Sequence, residues 1–135
     1  MKIVTDSYAW IEHFMGSDKG RKVDQLLEEA DEVYTPDVVL AEVARKYIRE
    51  NMEPEIVSRR LEEITEASTI ICLDSKIAVI AAKSYTELEV NAKNYKLSNP
   101  SLFDSIVLAV GRSLKSDVLT GDQHFRNFPE TVWVE

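Results

Sequence analysis

Short apolar runs alternate with stretches of helical periodicity along this chain of 135 residues, and that alternation limits what it can fold into. Ile3-Val4 opens the sequence as a first strand, which stops at Asp6; residues 7–14 then have the spacing of a short helix. Residues 19–30 read as a polar helix with Val23, Leu26 and Leu27 inward. Residues 32–35 form a second strand. Thr35 is placed to cap the following helix, Pro36 suits its first position and Asp37 the positive end of its dipole, and the pattern runs to about Glu50. A further helix opens at Pro54, with Ile56, Val57, Leu61 and Ile64 as its apolar stripe. Residues 69–73 are expected to form a buried parallel strand with Cys72 inside. Then come a helix over residues 77–92, a polar loop to Asn99, a helix from Pro100-Ser101 that is apolar nearly all round, and a strand at residues 117–120. A short helical or irregular segment over residues 123–128 and a last strand at 131–134 complete the order. Strands separated by helices imply an α/β fold: a three-layer α/β/α sandwich around a mainly parallel sheet of about five strands. The absence of any Gly/Ser/Pro-rich linker points to a single domain over residues 1–135.

Composition narrows the function classes. A chain that is 44% hydrophobic and 30% charged has the balance of a soluble protein, and its longest apolar run is far too short to span a membrane. One cysteine rules out an internal disulfide and a Cys-rich zinc site, and with no signal-peptide pattern at the start a cytoplasmic location is expected. Net charge is −8, the wrong sign for binding nucleic acid by bulk electrostatics. Any nucleic-acid chemistry must come from a local basic patch, or from metal ions that invert the field of an acidic pocket.

Four acids fall where such a pocket would lie. Asp6 follows the first strand, Glu42 sits two turns into the helix after the second, Asp104 begins the apolar helix, and Asp122 follows the fourth strand by one glycine. In a parallel sheet, strand carboxyl ends and the starts of the following helices share one edge, where ligands bind. Each acid has an ordinary explanation. Asp6 can cap the helix at Ser7, Glu42 can pair with Lys46 at i+4, Asp104 can close a capping box with Ser101, and Asp122 can serve the turn. Their convergence on one edge favours a shared pocket instead. Clustered carboxylates need cations, and an oxygen donor set suits Mg²⁺ or Mn²⁺ rather than zinc. Such a centre is suited to phosphodiester hydrolysis, because the metal acidifies a bound water and clamps the attacking and leaving oxygens.

At these residues the sequence resembles the PIN-domain ribonucleases, and within them the VapC-type toxins of prokaryotic toxin–antitoxin pairs. The matching pieces are Ile3-Val4-Thr5-Asp6-Ser7, Leu40-Ala41-Glu42-Val43, Leu102-Phe103-Asp104-Ser105-Ile106-Val107-Leu108-Ala109 and Leu119-Thr120-Gly121-Asp122-Gln123-His124-Phe125. They occur in the right order over nearly the whole chain; residues 59–73 carry no matching motif. The resemblance implies a PIN-like fold and a Mg²⁺- or Mn²⁺-dependent endoribonuclease. Asp6 and Asp104 would be direct metal ligands, with Glu42 and Asp122 binding directly or through water. Ser7 and Thr120 look like the small hydroxyl residues that support such sites. A homodimer and a small antitoxin whose C-terminal tail enters the cleft are implied as well.

Outside the quartet, Arg45, Arg49 and Arg126 are the expected RNA contacts; Lys46 lies with the first two after Glu42 on one helix, and a solvated face with local salt bridges is the plainer account of these three. His124 is expected to play a supporting part and His13 to lie on a helix surface. Tyr8, Trp10 and Phe14 have the spacing of a core-facing stripe, with a dimer face or the stacking of a base as the alternatives. A phosphatase of the haloacid-dehalogenase type also starts with an Asp after its first strand, but wants a second Asp two residues on, where Tyr8 stands. A PIN-like module that binds metal, RNA or protein without cutting is the competing reading from another class.

Overall fold

The computed structural model describes residues 1–134; Glu135, the last residue of the expected domain, lies outside them. Its first strand, β1 (Lys2–Thr5), divides the core between two faces. Ile3 and Val4 are both fully buried, yet consecutive strand side chains point to opposite sides. Ile3 packs with Leu119 and with Val23 from helix α2 (Asp18–Glu29), after α1 (Ser7–Met15). Val4 packs with Val118 and with side chains of α3 (Asp37–Arg49) and of α6 (Leu102–Leu114), such as Val39, Val43 and Ile106. A sheet covered on both faces gives the three layers expected.

β2 (Glu32–Pro36), β3 (Thr69–Ile71), β4 (Asp117–Thr120) and β5 (Thr131–Trp133) complete the sheet, in the order β3-β2-β1-β4-β5, with every pairing parallel. The chain leaves β1 for β2 on one side and returns to β4 on the other. β1 and β4 therefore flank the point where the strand order reverses, which is where an open α/β sheet has its crevice. α4 (Pro54–Ala67) and α5 (Ser75–Asn94) fill the remaining connections. α6 is the central helix, buried continuously from Ser105 to Gly111.

Three local expectations fail. Cys72 is exposed, not buried in a strand. β3 is an edge strand that pairs with β2 and ends at Ile71; residues 72–74 lie outside the sheet, and Leu73 N–H donates to Asp37 Oδ2 at 3.1 Å. An apolar run looks the same on an edge strand as in the middle of a sheet. Thr35 does not cap α3: it lies within β2, and its hydroxyl is held by the Trp10 indole N–H (3.1 Å) and by Ser68 (2.7 Å). Pro36 occupies the cap position. α5 runs from Ser75 to Asn94, longer than residues 77–92, because the Asp74 carboxylate accepts from Ile77 N–H and starts it earlier.

Candidate active site

The site is built on the backbone register between β1 and β4. Thr5 pairs with Leu119, and Asp6 N–H donates to the Leu119 carbonyl at 3.1 Å, which brings Asp6 beside Thr120. Asp6 caps α1: its Oδ1 accepts from Ser7 N–H at 2.8 Å. Its Oδ2 accepts from the Thr120 hydroxyl at 2.8 Å, and the same hydroxyl oxygen accepts from Asp122 N–H at 3.0 Å. Fully buried Thr120 thus ties the carboxylate after β1 to the loop after β4.

Asp122 begins the short 3-10 turn Gln123–Phe125 and accepts from His124 N–H at 2.9 Å. The His124 ring lies between two oxygens, with Nδ1 2.8 Å from Asp122 Oδ1 and Nε2 2.9 Å from the Ser98 carbonyl. Both ring nitrogens face acceptors, so the protonated imidazolium fits. Burial pulls the His124 pKa down, but the Ser98 carbonyl, Asp122 and Asp104 outweigh it and raise it above 6.5. Asp104 completes a capping box: its Oδ2 accepts from Ser101 N–H at 2.8 Å while Ser101 Oγ accepts from Asp104 N–H at 3.1 Å.

Asp6, Glu42, Asp104 and Asp122 all line one cavity of about 290 Å³, together with Ser7, Glu12 and Lys46, and with an apolar wall of Tyr8, Ile11 and Met15. The cavity is electrostatically strained. Burial, then the charges of Asp104 and Asp122, push the Asp6 carboxyl up to about 7 despite the hydrogen bonds from Thr120 and Ser7. Burial and the other three acids push Glu42 up to about 8, with Arg45 only partly offsetting them. Asp104 is also raised, by burial first and by Asp122 after it. Glu42 does not pair with Lys46, which reaches Glu50 at 3.9 Å; Glu42 Oε1 is buried with no hydrogen-bond partner among the described residues. Ligand atoms of Asp104, Asp122 and His124 lie within 4.8 Å of one another. Since both His124 nitrogens are engaged, its place in that group is to hold Asp122, and the carboxylates are the donors. An oxygen set with one orphaned buried acceptor and mutually raised pKa values fits a hard divalent cation.

The ordinary roles and the shared pocket coexist. Asp6, Asp104 and Asp122 each cap a helix or turn with one oxygen and still face the cavity. Ser7 lines the cavity and supplies an amide to Asp6, whereas Thr120 stands behind Asp6. Arg45, Arg49 and Arg126 do not line it; Arg126 lies over the Trp133 ring, 5.2 Å from its centroid. His13 is half-buried, paired with Asp24 and packed against Trp10 and Phe14. Glu12 is a lining residue that the sequence did not single out, whereas Tyr8, expected on a core-facing stripe, and Lys46, expected to pair with Glu42 or to lie on a basic helix face, line the cavity. For Lys46 a signal existed: it sits at i+4 from Glu42, on the same face of α3.

Comparison with known proteins agrees with this architecture. The PIN domain family model matches residues 3–130, so the chain belongs to the PIN domain family. No curated protein matches it by sequence. Among solved structures, it is similar to a toxin–antitoxin complex from Klebsiella pneumoniae, at a TM-score of 0.69 and 20% identity over 98% of each chain. VapBC2 from Rickettsia felis, bound to a DNA fragment from its promoter, superposes at 0.68 with 15% identity, covering 98% of this chain and 97% of that one. VapC20 from Mycobacterium tuberculosis, described as a toxin that cleaves the sarcin–ricin loop, superposes at 0.69 with 16% identity over 91% and 92%. Among the described residues no helix is long and apolar enough to cross a membrane.

Proposed function

We propose that this PIN domain, acting as one unit over residues 1–135, is a divalent-metal-dependent endoribonuclease and the toxin of a toxin–antitoxin pair. The observation that carries the reading is the cavity itself: four acids on one lining, with Asp6 and Glu42 raised to about 7 and 8 and a buried Glu42 oxygen without a partner among the described residues. Such a group is costly as it stands and is relieved by a cation. Asp6 and Asp104 would hold Mg²⁺ or Mn²⁺ directly, with Glu42 and Asp122 beside them. When bound, the metal supplies water activation and charge stabilisation for in-line phosphodiester hydrolysis. The chain's own residues do the rest. Thr120 fixes the Asp6 carboxylate and the Asp122 backbone with one hydroxyl, His124 fixes the Asp122 side chain, and Lys46 offers a cation to RNA phosphate beside the acids.

The toxin role rests on the solved structures that this fold resembles, several of them toxin–antitoxin complexes. It carries a small antitoxin whose tail occupies the cleft, a homodimer, and a cytoplasmic site of action. The test is cleavage of a mixed pool of structured RNA by protein freed of any co-purified inhibitor, with Mg²⁺ or Mn²⁺, and with EDTA as control. Discrete cuts that disappear with EDTA and fall by at least about 100-fold in Asp6→Asn and Asp104→Asn are expected. Folded, inhibitor-free protein that cuts nothing, or cutting that survives both substitutions, would move the domain to a non-catalytic binding module.

A further inference from the structure

A cavity that only held a cation would have no use for an apolar wall, yet Tyr8, Ile11 and Met15 line this one together with its acids. Met15 is 66% exposed and Tyr8 half-buried, so the wall opens to solvent at these two residues, while Ile11 joins it to the core. Tyr8 is the aromatic member, two residues after Asp6 on the first turn of α1.

Its ring is held in place before any ligand arrives. A Cβ on Gly121 would stand 2.3 Å from Tyr8 Cε1 and 2.7 Å from Cζ, so only glycine at 121 lets the ring lie against the loop that carries Asp122. On another side Lys19 Nζ donates to the Tyr8 hydroxyl at 3.3 Å and sits 5.9 Å from the ring centroid. A fixed ring loses little freedom on binding. Lys46 lines the same cavity. An aromatic surface with cations next to it, beside a site suited to phosphodiester hydrolysis, matches a single-stranded nucleic acid: the base stacks while the backbone runs along positive charge. A purely apolar peptide side chain would have no need of the lysines.

We propose that Tyr8 is the nucleobase-stacking residue of this cavity and selects for an unpaired nucleotide next to the phosphodiester that is cut. This rests on the ribonuclease reading. The test is steady-state cleavage of a short single-stranded oligoribonucleotide carrying the mapped cut site. Tyr8→Leu keeps apolar bulk but removes the ring, and Tyr8→Phe keeps the ring. Tyr8→Leu is expected to raise KM by about tenfold or more, with kcat changed much less, and Tyr8→Phe to restore KM. An abasic nucleotide beside the cut should raise KM for the wild type to the same extent, and should add nothing to the defect of Tyr8→Leu. If Tyr8→Leu melts too low to assay, the abasic substrate on wild-type protein decides alone: an unchanged KM sinks the proposal. An unchanged KM in folded Tyr8→Leu, or an abasic penalty undiminished in that variant, overturns the stacking role. The ribonuclease reading survives either result, provided cleavage still depends on Asp104. Loss of antitoxin-tail binding in Tyr8→Leu with RNA KM intact assigns the wall to a protein ligand and likewise overturns it. A wild type that cuts no RNA removes both.

Discussion

At the scale of single residues, Thr120 shows how the site is held together. It has no share of the cavity lining, but its hydroxyl donates to Asp6 and accepts from the Asp122 amide. Thr120→Val keeps the shape of the strand and leaves one oxygen of a carboxylate that is 3% exposed without its donor. The expected cost is about 1–3 kcal/mol of stability, read by denaturant unfolding, together with a loss of cleavage larger than that of Ser7→Ala. The acids themselves were legible in the sequence, because each follows a strand or lies near the start of a helix and the topology sends those positions to one edge. Their neighbours were harder to read. Whether Tyr8 faces the core or the cavity depends on the rotation of α1 over the sheet, which is set by Trp10 and Ile11 packing beneath it. Arg45, Lys46 and Arg49 were candidates by their spacing from Glu42 and Arg126 by its nearness to Asp122, and of these only Lys46 lines the cavity.

Between elements, α1 and α2 meet more closely than side chains would allow. A Cβ on Gly20 would stand 2.2 Å from the Glu12 carbonyl oxygen, and that contact is backbone, which cannot step aside. Gly20→Ala should therefore destabilise by about 1–3 kcal/mol, although alanine is the better helix former. A rise in melting temperature would contradict this packing. The capping box of α6 gives a second element-scale prediction. Ser101→Ala removes the acceptor for Asp104 N–H and should cost about 1 kcal/mol by chemical unfolding. Element order was readable because strand runs and helical periodicity alternate cleanly, and the buried stretch of α6 announced a central helix. The misreadings fell where local sequence is silent. Nothing in the run Thr69-Ile70-Ile71-Cys72-Leu73 distinguishes an edge strand that stops at Ile71 from a buried one that continues. Thr35 looks like a cap until Trp10 and Ser68 are seen to claim its hydroxyl.

For the whole molecule, the acid cavity is expected to make stability depend on pH and, on the proposed reading, on a bound cation. Asp6 and Glu42 have folded pKa values of about 7 and 8 against ordinary values of 3.8 and 4.5, so the folded state holds their protons more tightly. Their contribution is fully present below about pH 4 and is lost as pH rises through 7 and 8. The raised His124 pKa acts in the same direction. Metal-free protein should thus melt lower at pH 8.5 than at pH 5.5, by on the order of 5 °C, and saturating Mg²⁺ should remove most of the difference. The most direct test of the central claim is calorimetric titration of Mn²⁺ into metal-free protein at pH 7, repeated in buffers of different ionisation enthalpy. Saturable binding with proton release is the predicted result, since the ion displaces protons from Asp6 and Glu42, with affinity falling at least tenfold in Asp6→Asn. Heats no larger than those of Asp6→Asn, with no proton release, would contradict a metal centre built from these four carboxylates.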